Sequence, residues 1–176
     1  MQTSIDYTKT LIGKSITLRS LVASDFDALH AAAADPLIWE QHPDPDRYER
    51  EAFRAKFFDP AVESKSAYVV VDNASGALIG SSRFYEFDAA KREVAIGYTF
   101  LSRDYWGGSA NSEMKTLMLA HAFASNIDRV WFHVGKNNMR SRKAMEKIGG
   151  VFSHEDVKTM FGKTIDYVFF KIDKPN

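Results

Sequence analysis

The 176-residue chain contains no cysteine, which excludes disulfides, thiolate metal sites and a cysteine nucleophile together. Histidine is sparse: five residues, at positions 30, 42, 121, 133 and 154, show no metal-ligand spacing, so no metal site is expected. An excess of either charge is also missing. Lys plus Arg and Asp plus Glu stand at 23 each, which removes the electrostatic case for nucleic acid or an anionic membrane as the main partner. No stretch approaches the ~18 to 20 apolar residues of a membrane span. The opening MQTSIDYTKTLIGK has no basic start followed by an apolar run, and a cytoplasmic location is expected. Repeats, low-complexity tracts and interdomain linkers are absent too.

What is present suffices for one domain with a sizeable core, since 45% of residues are hydrophobic and 13% aromatic. Residues 1–14 read as a lead-in and 15–173 as the domain. Residues 15–22 alternate as a first strand. Ser24, with Asp27 three places on, opens a helix in a variant of the capping box, with Phe26, Leu29, His30 and Ala33 on its apolar face. Asp35-Pro36 ends it. A loop carrying Trp39 leads to a second helix over 46–58, in which Tyr48, Ala52, Phe53 and Phe57 keep helical register. Strands 68–72 and 77–87 flank a glycine turn as a hairpin. Arg83 and Tyr85 share one strand face, open either to a substrate carboxylate or to solvent. After a long helix come a short strand, 129–134, a helix, 139–147, closed by Gly149-Gly150, and a final hairpin, 151–159 with 164–173.

The chain is organised around residues 93–123. Glu93 to Leu101 is rich in β-branched and aromatic residues and reads as a strand. Tyr105, Trp106 and the pair Gly107-Gly108 form a short loop. From Ser109 onward, Ala110, Met114, Leu117, Met118 and Ala122 recur near helical spacing. Strand, glycine turn and helix in that order suit an anion. The first turn of the helix leaves N–H groups without internal partners, and glycine lets the backbone come close.

This stretch, with Val134 to Gly149 (VGKNNMRSRKAMEKIGG), resembles the signature of the GNAT superfamily of acetyl-CoA-dependent N-acetyltransferases. The likeness is particularly to the branch that includes the ribosomal-protein alanine acetyltransferases, and it runs from about Ser15 to about Ile172. It implies an α/β fold: a single domain with a mixed, mostly antiparallel sheet of about seven strands and about four helices. The family loop reads Gln/Arg-x-x-Gly-x-Gly/Ala, with Trp often first in this branch. Here the six places are Trp106, Gly107, Gly108, Ser109, Ala110 and Asn111, so Ser109 replaces a glycine and Asn111 a small residue. Serine is a good helix N-cap, and its hydroxyl can donate to a phosphate.

The resemblance further implies that the pantetheine arm of acetyl-CoA bonds the backbone near Phe100 and Leu101, and that the pyrophosphate meets the amides of Gly107 to Ser112. Acetyl transfer to an amine needs the ammonium to lose a proton and the thiolate to gain one. The branch's usual glutamate falls at Ala95 in this chain. Glu93, two residues earlier on the same strand face, is the candidate base, directly or through water. The second motif, Asn-x-x-Ser, is Asn138 and Ser141. Asn138 either caps its helix or bonds the arm, and Ser141, with Tyr98 as second candidate, protonates the thiolate. Trp39 lines the acceptor pocket or plugs the loop. Arg140, Arg142, Lys143 and Lys147 either meet the nucleotide phosphate or form a solvated face. The expected partners are acetyl-CoA and an amine acceptor, on a monomer or homodimer. A non-catalytic acyl-CoA-binding or protein-interaction module on the same fold is the alternative.

Overall fold

The computed structural model describes residues 3–160 and 162–176. Eight strands form one sheet: β1 (Leu11–Ile12), β2 (Ile16–Ser20), β3 (Ala67–Asp72), β4 (Leu78–Asp88), β5 (Glu93–Leu101), β6 (Arg129–Gly135), β7 (Val151–Met160) and β8 (Lys163–Asp173), in the order β1-β2-β3-β4-β5-β6-β8-β7. Among the described residues only β5 and β6 run parallel. The count exceeds the expected seven by one because Leu11–Ile12, within the stretch read as lead-in, pairs antiparallel with β2. Leu11 is buried while Ile12 is exposed. A two-residue strand is too short for alternation to announce it in sequence.

Helices cover both faces of the sheet. On one lie α4 (Ala110–Ala124) and α5 (Met139–Lys147). Here Met114 and Met118 pack with Leu18, Val70, Phe84, Ile96, Phe132 and Val168. On the other lie α1 (Phe26–Ala33), α2 (Arg50–Phe53) and α3 (Asp59–Ser64), where Leu29, Phe53 and Phe57 meet Val69, Trp39 and Phe100. β3 (AYVVVD) is buried on both faces along its first four residues, as a central strand between two layers must be.

Two helix starts differ from the sequence reading. The first helix begins at Phe26 after a 3₁₀ turn, Ala23–Asp25. The carboxylate of Asp25, rather than the side chain of Ser24, accepts the N–H of Val22 at 2.9 Å, while Arg19 donates two bonds to it at 2.9 and 2.8 Å. The second helix begins four residues later than expected. Asp44 and Asp46 both accept from Lys56 Nζ, at 2.9 and 2.7 Å, which holds 44–46 as a loop. A π-helical segment, Arg54–Phe58, joins α2 to α3. Phe57 and Phe58 are adjacent in sequence yet both buried, and a widened turn lets successive side chains reach one core.

The feature that shapes the molecule lies in β5. Ser81 on β4 faces Phe100 and Arg83 faces Gly97, so two steps on β4 match three on β5. The extra residue is a β-bulge, and at it Tyr98 takes φ +51°. Next to it a side chain at Gly97 would bring its Cβ to 2.8 Å from the Tyr85 ring, so any larger residue would have to displace that ring. β5 stays paired with β6 only over Glu93–Ala95 and Arg129–Trp131. Beyond those three pairs the strands part.

Candidate active site

The split between β5 and β6 opens a cleft of about 470 Å³ that runs through the sheet between the two helical layers. One wall is the edge of β5 from Ile96 to Leu101, and the other is Phe132 to Gly135 of β6 with Asn138 and Ser141 from the start of α5. The loop from Tyr105 to Gly108 and the first turn of α4, at Asn111 and Ser112, close one end. Because the parted edges lack each other as ladder partners, they offer N–H and C=O groups to an extended ligand.

The glycine loop is built as an open cradle. Gly107 takes φ +73°, and neither a Cβ there nor one at Gly108 would clash: the nearest atom to the latter is the Tyr105 carbonyl oxygen at 3.7 Å. Ser109 makes no side-chain capping bond, which leaves the first N–H groups of α4 without that partner. Trp106 fastens the loop by donating from Nε1 to the Leu101 carbonyl at 2.9 Å. Arg140 locks it from the far side. Its guanidinium lies 4.0 Å over the Trp106 ring and donates to the Ile38 carbonyl at 2.6 Å. Arg142 likewise donates to the Lys136 carbonyl at 3.1 Å, so of the basic run only Lys143 and Lys147 line the cleft without such a fixed backbone bond.

Asn138 is buried, and its Oδ1 accepts from the Ser141 backbone N–H at 3.1 Å, which caps α5. Both residues line the cleft. Phe100, Leu101, Trp106, Gly107, Gly108, Asn111 and Ser112 line it as well, whereas Ser109, which is exposed, and Ala110, which is in the core, are not part of the lining.

The acceptor-side candidates divide. Trp39 is buried at the cleft floor, with Nε1 donating to the Ala33 carbonyl at 2.8 Å and its ring against Phe100 and Phe57. Tyr85 and Tyr98 face the cleft edge to face, with centroids 5.1 Å apart, and His133 stands 5.4 Å from Tyr85. Burial pushes the Tyr85 hydroxyl well above its ordinary value. Arg83 lies behind Tyr98, buried, and is not part of the lining. Glu93 lies apart from the cleft. Its oxygens accept from Trp131 Nε1 at 2.9 Å and Arg129 at 3.4 Å, in a smaller hollow that adjoins the cleft at Glu86 and His133.

Several lining residues escaped the sequence reading. Arg47 is buried, donates to Asp44 at 3.3 Å and lies over the Trp39 and Phe57 rings. His42 accepts the Asp44 N–H at 3.0 Å, and burial, with Arg47 and Arg140 nearby, holds it down to about 3. Lys158, from the terminal hairpin, reaches His133 Nδ1 at 2.7 Å and Glu86 at 3.2 Å, spanning the acceptor end. Burial and the Lys158 charge press His133 down to about 4. Lys115 is buried on α4 and lines the cleft. Only Lys115 carried a sequence signal, a charged residue between Met114 and Met118 on a buried register.

The family model of the acetyltransferase (GNAT) domain matches residues 15–151. Solved structures with the same fold include a GCN5-related N-acetyltransferase from Brucella melitensis, 23% identical over 98% of this chain and 81% of that one, with TM-score 0.83. A GNAT-family acetyltransferase from Bacillus anthracis is 17% identical over 94% of this chain and 98% of that one, with TM-score 0.73. RimJ of Mycobacterium smegmatis, in complex with CoA-disulfide, is 16% identical over 90% of this chain and 81% of that one, with TM-score 0.69. No curated relative matches at a significant level.

Proposed function

Since the chain belongs to the acetyltransferase (GNAT) domain family, we propose that it is an N-acetyltransferase. It carries the acetyl group of acetyl-CoA directly to a primary amine, on a protein amino terminus or a small molecule, within a ternary complex. The observation that carries this reading is the parting of β5 from β6 at a bulge, in line with an unencumbered glycine loop at a helix start.

The donor suits these residues. Unpaired groups of β5 near Phe100 and Leu101 would hold the amides of the pantetheine arm, and Gly107 to Ser112 would hold the pyrophosphate without steric cost. That RimJ of Mycobacterium smegmatis, with the same fold, is in complex with CoA-disulfide supports the choice of donor. The backbone N–H at the bulge would polarise the acetyl carbonyl. When bound, the donor supplies the thioester; the chain supplies position, dry walls and proton carriers.

Trp39 and Tyr85 would receive the acceptor. Its ammonium proton would leave through water toward Glu93, by way of the hollow that adjoins the cleft at Glu86 and His133. Ser141, already fixed by its bond to Asn138, would give the leaving sulfur a proton, with Tyr98 on the opposite wall as second candidate. The test is release of free thiol from acetyl-CoA across a panel of amines and of peptides with free amino termini. Thiol release that rises with one acceptor class establishes transfer. Tight binding of acetyl-CoA with no turnover on any amine would make the protein a binding module.

A further inference from the structure

A charged side chain inside a protein is expensive unless an opposite charge or a set of hydrogen bonds accompanies it. Lys115 is 3% exposed, yet among the described residues no carboxylate forms an ion pair with it. Its Nζ meets only two hydroxyls: Thr99 Oγ1 at 2.6 Å and Ser82 Oγ at 3.3 Å, themselves 2.8 Å apart. The ring of Phe132 stands 5.7 Å away. Toward the amine, β4, β5 and β6 present Ser82, Thr99 and Phe132. Burial alone draws the lysine down to about 7, where the ammonium and the free amine are both populated.

The position gives this cost a use. Asn111 and Lys115 stand four apart on α4, on one face, and both line the cleft. Thr99 is the residue between the bulge at Tyr98 and the segment Phe100–Leu101, on the parted edge of β5. A charge that develops beside that edge would meet a ready proton one hydroxyl away.

We infer that Lys115, acting through the Thr99 hydroxyl, is a positioning residue that holds the proton destined for the sulfur of the departing CoA. The inference rests on the acetyl-transfer reading and departs from it at one point: the proton which that reading takes from Ser141 comes from Thr99, backed by a store behind the cleft wall, and Ser141 is left to bond the sulfur from the opposite wall. The acceptor nitrogen bonds the acetyl carbon as the carbon–sulfur bond breaks, and that electron pair passes to sulfur. The Thr99 hydroxyl gives its proton to sulfur and takes one from the Lys115 ammonium. The neutral lysine is recharged from solvent, which receives both protons the substrate nitrogen gives up, one from the ammonium before attack and one from the acylated nitrogen as the amide forms, so that one proton is released per turnover. Oxygen and nitrogen end each cycle as they began, and no oxidant or reductant is needed.

The experiment follows the thiol of CoA itself on the whole protein, without acceptor and without turnover. The thiolate absorbance of CoA bound to the wild-type chain, titrated against pH, should show the thiol ionising at least one unit below free CoA, about tenfold more thiolate at a given pH, because the thiolate in turn holds the Lys115 ammonium charged and the two titrate as a pair. Lys115→Met and Thr99→Val should return it to the free value while calorimetry still finds CoA bound. Lys115→Arg, which stays charged, should keep the thiol low but slow turnover at every pH, because a guanidinium does not release its proton. Melting curves check folding, and Thr99→Val, which preserves shape, serves if Lys115→Met fails to fold. CoA that binds with an unshifted thiol, or a shift that survives both substitutions, overturns the role of Lys115 alone. Failure of CoA to bind at all overturns the acetyl-transfer reading, and this inference with it.

Discussion

The guanidinium of Arg83 lies 3.5 Å from the ring centre of Tyr98, the residue whose left-handed backbone makes the bulge in β5. A tyrosine at φ +51° is strained, and a buried cation stacked on its ring is the contact that holds it there. Arg83→Met should therefore cost about 1–2 kcal/mol of stability and raise the Michaelis constant for acetyl-CoA several-fold. Tyr98→Gly, which relieves the backbone but removes the ring, should be less damaging to stability than Tyr98→Ala. Urea unfolding of the three variants decides this, and equal stability of Tyr98→Gly and Tyr98→Ala would show that the bulge is not strained.

Gly108 offers a cleaner probe of the cofactor loop than Gly107, because its φ is not in the left-handed region and a new Cβ meets nothing closer than 3.7 Å. Gly108→Val should leave the melting temperature nearly unchanged and weaken acetyl-CoA at least tenfold, about 1.4 kcal/mol. Calorimetry that finds wild-type affinity in a normally folded variant would place the pyrophosphate elsewhere.

Asn138 and Ser141 can be separated. The cap bond uses the backbone N–H of Ser141, so Ser141→Ala leaves it intact, whereas Asn138→Ala removes it. The latter should cost about 1 kcal/mol of stability. Ser141→Ala should lower kcat far more than it raises KM for acetyl-CoA, at unchanged stability. A pure KM effect would make Ser141 a binding residue.

The acid sensitivity of the fold has a local source at His42. Its native pKa, about 3, lies below the ordinary 6.5. As pH falls through 6.5 the unfolded chain takes up a proton that the native one refuses, so stability is lost progressively from about pH 6.5 down to about 3, with none of this loss above. His42→Gln, whose amide oxygen can still accept the Asp44 N–H, should lose on the order of 2 kcal/mol less than wild type between pH 7 and 4.5. Parallel stability curves would show that His42 is protonated in the native state.

Glu93→Gln should slow turnover with little change in CoA affinity, and the defect should shrink at high pH, where more of the acceptor is already neutral. Because both oxygens of Glu93 are engaged by Arg129 and Trp131, the effect should be smaller than that of Ser141→Ala. If Glu86→Gln reproduces that pH-dependent defect and Glu93→Gln does not, the proton leaves by Glu86, which lines the cleft itself.

Local patterns determined much of this protein by themselves. Composition excluded thiol chemistry, and alternation and helical spacing located β5, α5 and the terminal hairpin nearly to the residue. The run Trp106 to Ser112, with Asn138 and Ser141, named the family, because a glycine turn before a helix and a capping Asn-x-x-Ser are spelled by neighbouring residues. Tertiary structure alone decided the rest. No neighbour in sequence announces that Tyr98 is bulged, because the bulge is a register shift against β4 and the strain is held by Arg83, fifteen positions away. The pairing of β5 with β6 over just three residues, which sets Glu93 in a side hollow and Ser141 in the cleft, is likewise a relation between distant strands. So is the burial of Lys115, on α4, among hydroxyls from β4 and β5. Spacing reports which residues share a face; what lies across from that face, and hence which groups are desolvated enough to change their chemistry, is fixed only when the layers close.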